Sequence, residues 1–297
     1  MSDAAPFRYR HSGACIDSAL ELPEWSAFST GTTGEADIAI LVEPRLAALA
    51  DDGFGWTVDG DALRFTASDI GVWEVRGGHE IALAPIGEAD PRELRLFTLG
   101  SAWGALGYQR GWAMLHGSAV EVGGRVALLC GDAGAGKSSL AAALVAEGAA
   151  LLADDLSRVE DGRLWPSTTR LKLWEEALAA LDWTGRERVP DGAREGKWHL
   201  PMTAPSPEPR TLDAIYLLEW GEGPRFKRLT GAQAAAALMR ASCYRPDMLA
   251  EMGLLGEQSA KVAALAAHVP VVRFTRPRDL AALHESARAM AGDLASR

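Results

Sequence analysis

From about residue 113 onward the chain alternates short, wholly apolar runs with stretches whose apolar residues recur at helical spacing. Residues 114–122 and 125–129 read as two strands joined at Gly123-Gly124. Residues 137–147 read as a helix closed by Gly148. Residues 150–153 form a short apolar strand that ends in Asp154-Asp155. Residues 156–159 and 163–165 make a hairpin around Asp161-Gly162. The pattern then predicts a helix over 173–181, a buried strand over 212–220 and an Ala-rich helix over 231–242. One or two helices follow over 250–268, then a strand over 269–274 and a last helix over 277–294. Strand and helix in alternation predict an α/β domain with a covered sheet.

The front of the chain has a different rhythm. Residues 36–42, 55–58, 62–66 and 71–76 are short runs with β-branched and aromatic residues, separated by Gly, Asp and Ser clusters. Asp59-Gly60-Asp61 and Gly77-Gly78 are turn signals. Residues 91–111 predict one helix entered at Pro91, with Leu94, Phe97, Leu99, Ala102, Ala105, Leu106 and Tyr108 as its apolar stripe. The expected division is therefore a smaller β-rich (α+β) domain over 1–112, linking helix included, and a second domain over 113–297. His11 and His79 stand alone and are expected to be structural. Residues 184–210 carry five prolines, three glycines and a mixed charge cluster, and read as a long mobile loop.

Composition narrows the function classes. In 297 residues the formal net charge is −10, and no sustained Lys/Arg block is present. That balance disfavours nucleic acid and anionic membranes as partners. Cys15, Cys130 and Cys243 are far apart in sequence, which predicts neither a disulfide framework nor a zinc site and fits a reducing cytoplasm. No segment has signal-peptide character or about 20 uninterrupted apolar residues, so a soluble cytoplasmic protein is expected.

The chemistry concentrates at Gly131-Asp132-Ala133-Gly134-Ala135-Gly136-Lys137-Ser138, a match to G-x-x-x-x-G-K-[ST], with Ser139 following. Glycines let the backbone curl so that successive N–H groups point into one anion-sized nest. The helix that starts near Lys137 adds its positive end. In this motif Lys137 reaches the β/γ-phosphates and Ser138 gives its hydroxyl to Mg²⁺. The context is right as well, because RVALLC reads as a strand and KSSLAAALVAE as a helix. The cofactors expected are ATP and Mg²⁺, with ATP over GTP an expectation only.

Asp154 and Asp155 close the strand expected beside the P-loop strand. Two adjacent carboxylates there can divide labour, one on the metal and one as general base. An Asp-Asp pair before Leu-Ser is also a common cap at a chain reversal. His116 lies on the strand preceding the P-loop strand, followed by Gly117. A histidine so placed either is structural or stands near the acidic pair and holds or tunes a carboxylate.

His116-Gly117, then Gly131 through Ser138, then Ala153-Asp154-Asp155 together resemble the HPr serine kinase/phosphorylase family. They are closer still to HPr-kinase-related peptide kinases of ribosomal-peptide gene clusters, lasso-peptide kinases included. The resemblance is good over about residues 113–175 and weak beyond. It implies a C-terminal P-loop domain of the HPr kinase / phosphoenolpyruvate carboxykinase type. It also implies Asp154 as the general base toward a serine hydroxyl, with His116 as its neighbour. Asp155 and Ser138 would then hold Mg²⁺, and Lys137 would neutralise the γ-phosphate. Two features depart from the family. Ser139 stands where Glu is usual, and a Glu-Ile-Arg-Gly-type signature is absent, its place taken by the 184–210 segment with Arg194, Glu195 and Lys197. The departures point to an acceptor other than HPr. Arg194 and Lys197 either close over the transferred phosphate or belong to a solvated charged loop.

The expected function is thus an ATP- and Mg-dependent kinase acting on a serine of a peptide or small protein. The alternatives are a small-metabolite kinase and a non-catalytic nucleotide-sensing regulator. A homo-oligomer is compatible with the resemblance, and the sequence does not name the acceptor.

Overall fold

A computed structural model describes residues 6–51, 53, 55–191 and 194–297. The parts of the expectations above that fall on residues 1–5, on 52 and 54, and on Gly192 and Ala193 lie outside the described residues. The protein is a mixed α/β chain with three sheets. It divides into two compact units, Met1–Met114 with Tyr244–Gln258, and Leu115–Cys243 with Ser259–Arg297.

The first unit is built on a seven-stranded sheet. Its strands are β1 (Phe7–His11), β2 (Ala14–Ser18), β3 (Ile38–Val42), β4 (Trp56–Asp59), β5 (Ala62–Ala67), β6 (Gly71–Arg76) and β7 (Glu80–Pro85). The spatial order is β1-β2-β3-β7-β6-β5-β4, antiparallel except where β3 pairs with β2 and β7. The β4–β5 and β6–β7 turns carry Gly60, Gly77 and Gly78 at positive φ, as the turn signals require. The helix expected over 91–111 forms as Pro91–Phe97 and Trp103–Gln109, with a π-helical turn at Thr98–Ala102 between them. His11 is structural, as expected of it: it is buried, and its ring stacks on Trp25 at 4.0 Å.

Tyr244–Gln258, which the sequence reading grouped with residues 113–297, belongs to this first unit. The physical reason is local bonding. The Trp56 indole N–H donates to Asp247 at 2.7 Å, and the Tyr108 hydroxyl donates to the Tyr244 carbonyl at 2.8 Å.

The second unit continues the count with β8 (Ala113–Val122), β9 (Arg125–Cys130), β10 (Ala150–Ala153), β11 (Leu156–Glu160), β12 (Arg163–Trp165), β13 (Arg170–Trp174), β14 (Val189–Pro190), β15 (Lys197–Pro201), β16 (Arg210–Trp220), β17 (Arg225–Leu229) and β18 (Val271–Arg276). The boundary between the units falls inside β8. In the main sheet, β10 pairs β8, β8 pairs β9, and β9 and β18 flank β16 in parallel. β17 closes the edge against β18, and the β11–β12 hairpin joins the N-terminal end of β16.

The apolar runs are continuous because both faces of this sheet are covered. Strand alternation divides them cleanly. Ala127, Leu129, Ala214, Tyr216, Leu218, Val272 and Phe274 enter one core with the helices Lys137–Ala146 and Leu283–Ala295. Val126, Leu128, Cys130, Ile215, Leu217 and Val271 enter the other, with the helices Gly231–Ser242 and Leu255–His268.

Two sequence expectations need correction. The 184–210 segment is not a structureless loop, because β15 pairs with β13 and β14 pairs with β15 in a third, three-stranded sheet of order β13-β15-β14. The alternation Arg-Leu-Lys-Leu-Trp of β13 faces Lys-Trp-His-Leu-Pro of β15, burying Leu171, Leu173 and Leu200 on one side. The prolines do not prevent this: Pro190 sits on the short edge strand and Pro201 ends β15, where a missing N–H costs nothing. By the same pairing, Leu173 and Trp174 are strand residues, and the helix expected from 173 begins only at Glu175.

Candidate active site

The site is set by where β9 and β10 end. β9 runs into the glycine loop, and the helix Lys137–Ala146 leaves it. Gly134 and Gly136 adopt φ of 79° and 78°, the left-handed region that an L side chain strains to enter. Gly136 caps the helix, so the first-turn N–H groups, which lack intrahelical acceptors, open on the loop's concave side. Asp132, Ala133 and Gly134 form the exposed rim, while Gly131, Ala135 and Lys137 are buried. The Lys137 ammonium folds back to donate to the carbonyls of Gly131 at 2.8 Å and Asp132 at 3.1 Å. Burial lowers its pKa. Ser139 lies one residue on, in the first helical turn.

The loop is braced from behind by a residue the sequence reading missed. Arg276, at the end of β18, donates to the carbonyls of Ala135 at 2.9 Å and Gly136 at 3.2 Å, and its guanidinium lies over the Trp220 ring at 4.3 Å. Burial lowers the pKa of this guanidinium to about 10. A side chain at Gly136 would strike this guanidinium. No sequence signal ties positions 140 residues apart; only the parallel placement of β18 beside β16 does. Arg276→Met is expected to lower stability by about 1.5–3 kcal/mol, the scale of a hydrogen bond to a charged group. Urea denaturation measures that loss, and hydrogen exchange at the loop amides should rise with it.

Opposite the loop stands the acidic pair. The strand pairing of β10 with β8 brings Asp154 and Asp155 beside His116 and Ser118. Asp154 Oδ1 accepts from the Ser118 hydroxyl at 2.6 Å and from the Ser138 hydroxyl at 3.0 Å, and Oδ2 accepts from the Lys172 amide at 3.2 Å. Burial, and then the charge of Asp155, push its carboxyl above the usual range. Asp155 differs. Its carboxylate is half-exposed and accepts from the Lys172 ammonium at 2.6 Å, which holds its pKa well below the ordinary value. Two neighbouring carboxyl groups are thus driven in opposite directions, the usual mark of divided acid–base roles. Asp155 also has a positive φ of 74°, a conformation Asp tolerates better than most residues.

His116 Nδ1 lies 2.8 Å from the Asp155 carbonyl, which fixes its proton on Nδ1 because a carbonyl only accepts. The same nitrogen lies 3.9 Å from the Asp155 carboxylate. Burial, followed by the nearby Lys137 charge, lowers the His116 pKa, so the ring is neutral near pH 7. Gly117 is required for a different reason. A Cβ there would sit 2.7 Å from the Leu129 carbonyl and 2.9 Å from the Leu128 side chain. Gly117→Ala is expected to cost about 1–3 kcal/mol by overpacking against backbone that cannot move aside. A drop in the urea midpoint with unchanged m-value would show it.

Of the remaining predicted residues, Lys197 begins β15 opposite Trp174, its ammonium 5.7 Å from that ring. Burial, and then Arg194, lower the Lys197 pKa, while both site aspartates act to raise it. Arg194 instead pairs with Asp191 at 3.2 Å, and Asp191 also accepts from His199 at 2.9 Å. The site therefore gathers His116, Lys137, Ser138, Asp154 and Asp155, with Lys197 in their field, and leaves Arg194 bonded to Asp191.

Ser118 and Lys172 belong to the site and were missed. Ser118 was legible, lying two residues beyond His116 on one strand and so on the same face. Lys172 was hidden because its segment was read as the approach to a helix.

The oxygen donors suit a hard divalent cation. Mg²⁺ is usually held through one or two carboxylates plus substrate phosphates. Ser138 and Asp155 supply such oxygens, and the Lys172 ammonium already places a cation on Asp155. Among the described residues no group of three His, Cys, Asp or Glu side chains is placed to hold a metal by itself. Among the described residues, too, no helix is long and apolar enough to cross a membrane.

No protein-family model matches the chain. No curated protein matches it either. Among solved structures it is similar to the Hpr(Ser) kinase/phosphatase from Coxiella burnetii, at 12% identity and a TM-score of 0.28, over 62% of this chain and 99% of that one. A likeness at that level carries nothing about the reaction, which has to be read from the site itself.

Proposed function

We propose that the protein is an ATP- and Mg²⁺-dependent kinase that transfers the γ-phosphate to a serine hydroxyl of a peptide or small protein. One observation carries the reading: the hydroxyl of Ser138, at the head of the glycine-loop helix, bonds to a partly buried Asp154 whose carboxyl is pushed up, beside an Asp155 that is held ionised. A protein that merely senses nucleotide needs the loop and a metal ligand but no second carboxylate of raised basicity.

In this reading the loop amides and Lys137 bind the β- and γ-phosphates. Ser138 and Asp155 hold Mg²⁺, which neutralises phosphate charge when bound. Asp154 takes the proton of the attacking hydroxyl. His116, neutral and bonded to the Asp155 carbonyl, fixes the backbone that presents both carboxylates. Phosphoryl transfer asks little covalent chemistry of the protein, so holding donor and acceptor in line and stabilising charge set the rate. The family resemblance of the sequence motifs points the same way and favours a ribosomally made peptide as acceptor.

The test is transfer of label from γ-³²P ATP to candidate peptides, followed by phosphoamino-acid analysis. Phosphoserine supports the reading. Tight ATP binding with no label on any peptide, but label on a small metabolite, replaces it with a metabolite kinase.

A further inference from the structure

Lys172 bonds both halves of the acidic pair. Its amide donates to Asp154 Oδ2 at 3.2 Å and its ammonium to Asp155 Oδ2 at 2.6 Å. The amide contact fixes where the side chain starts, while the four-carbon stem has enough rotatable bonds for the head to exchange one oxygen acceptor for another nearby. The stem lies on a face of β13 and β15 shared with its cross-strand partner His199 and with the Trp174–Lys197 pair two residues on. Two lysines, Lys172 and Lys197, thus share one face of the small sheet. Lys137 and Ser138 stand at the glycine loop.

Resting on the kinase reading, we propose that Lys172 is a second phosphate-binding lysine that guards the metal site. Its ammonium occupies Asp155 until a metal–nucleotide complex arrives, and then passes from Asp155 to the transferring phosphate. The reason is competition for one carboxylate. A divalent cation held by Asp155 and an ammonium on its Oδ2 are like charges a few ångströms apart, and they repel. A free metal ion that takes Asp155 brings no anion of its own for Lys172 to move onto. A metal ion that comes with a triphosphate brings its own anion, and the ammonium moves onto it. The consequence is an order of binding: nucleotide with metal, and not metal first. The same exchange puts a lysine on the phosphate from the acceptor side, facing Lys137 across it.

Mn²⁺ binding followed by electron paramagnetic resonance tests this in the full chain. Wild type, Lys172→Met and Lys172→Arg are titrated without nucleotide, and again with a non-hydrolysable ATP analogue. The expected result for Lys172→Met is about tenfold tighter Mn²⁺ binding in the absence of nucleotide, and about tenfold weaker analogue binding at saturating Mn²⁺ (a factor of ten being about 1.4 kcal/mol). Lys172→Arg should stay near wild type in both. Opposite signs in the two arms are the signature, since a lysine that only supports the fold would weaken both together. Unchanged affinities, or a parallel loss of both, overturn the proposal. If Lys172→Met does not fold by circular dichroism, Lys172→Gln repeats the measurement with a polar side chain of similar reach. Failure of the wild type to bind the analogue overturns the kinase reading and the phosphate half of this proposal. The nucleotide-free Mn²⁺ arm still decides whether Lys172 guards Asp155.

Discussion

Asp154→Asn is expected to abolish phosphoryl transfer while nucleotide affinity stays close to wild type. A positioned general base contributes about 10²–10⁴-fold, and the loss should fall in that range. The substitution is gentle for the fold. The asparagine carbonyl can accept from the Lys172 amide, and its amide group can donate to the Ser118 and Ser138 hydroxyls, which accept as readily as they donate. What disappears is a basic oxygen of raised pKa. Single-turnover ³²P transfer, read beside calorimetric binding of ATP with Mg²⁺, separates the two quantities. A variant that binds and transfers as wild type does would remove Asp154 from the chemistry. Loss of binding in step with transfer would make it a scaffold residue.

Lys137→Met should act on the other quantity. The residue is 8% exposed, and its ammonium is held by the Gly131 and Asp132 carbonyls, close to where a triphosphate would lie in the nest. A hydrogen bond to a charged group is worth about 1.5–3 kcal/mol, so ATP affinity should fall by roughly 10- to 150-fold. Stability should change far less. The ammonium is costly to bury, as its lowered pKa reflects, and methionine fills similar space without that cost. Calorimetry with the Mg²⁺ complex of ATP measures the affinity and thermal unfolding without ligand measures the stability. Unchanged affinity would mean that the loop does not bind phosphate through this lysine.

These two substitutions probe residues that the linear order of the chain already exposed. A glycine loop between an apolar strand and an Ala-rich helix has one physical use that needs Lys and Ser at its end. The closely spaced Gly131, Gly134 and Gly136 could be read because the requirement they meet is local: a backbone at positive φ. The acidic pair was legible as a motif, but its strand, expected beside the P-loop strand, pairs instead with β8, which stands between the two. The β11–β12 hairpin and the Gly231–Ser242 helix were likewise set by turn residues and periodicity within a few positions.

What the chain alone hid was whatever depended on partners distant in sequence. Lys197–Pro201 becomes a strand only because β13 offers it an edge, and Val189–Pro190 because Lys197–Pro201 then offers the next; prolines and mixed charges there look like a loop until those edges exist. Lys172 is an ordinary lysine in an alternating run until the pairing of β13 with β15 and the exit of β10 place it on both carboxylates. Arg276 becomes the brace of the glycine loop through the position of β18 beside β16, and Tyr244–Gln258 joins the first unit through Tyr108 and Trp56. Local backbone geometry and hydrophobic period are properties of neighbouring residues, so the sequence by itself determined the loop, the flanking strand and helix, and the identity of the acidic pair. Burial, ion pairing and the opposed pKa shifts of Asp154 and Asp155 arise only from atoms brought together across the fold, so it took the tertiary structure to show one carboxyl pushed up by its surroundings and the other held down by Lys172.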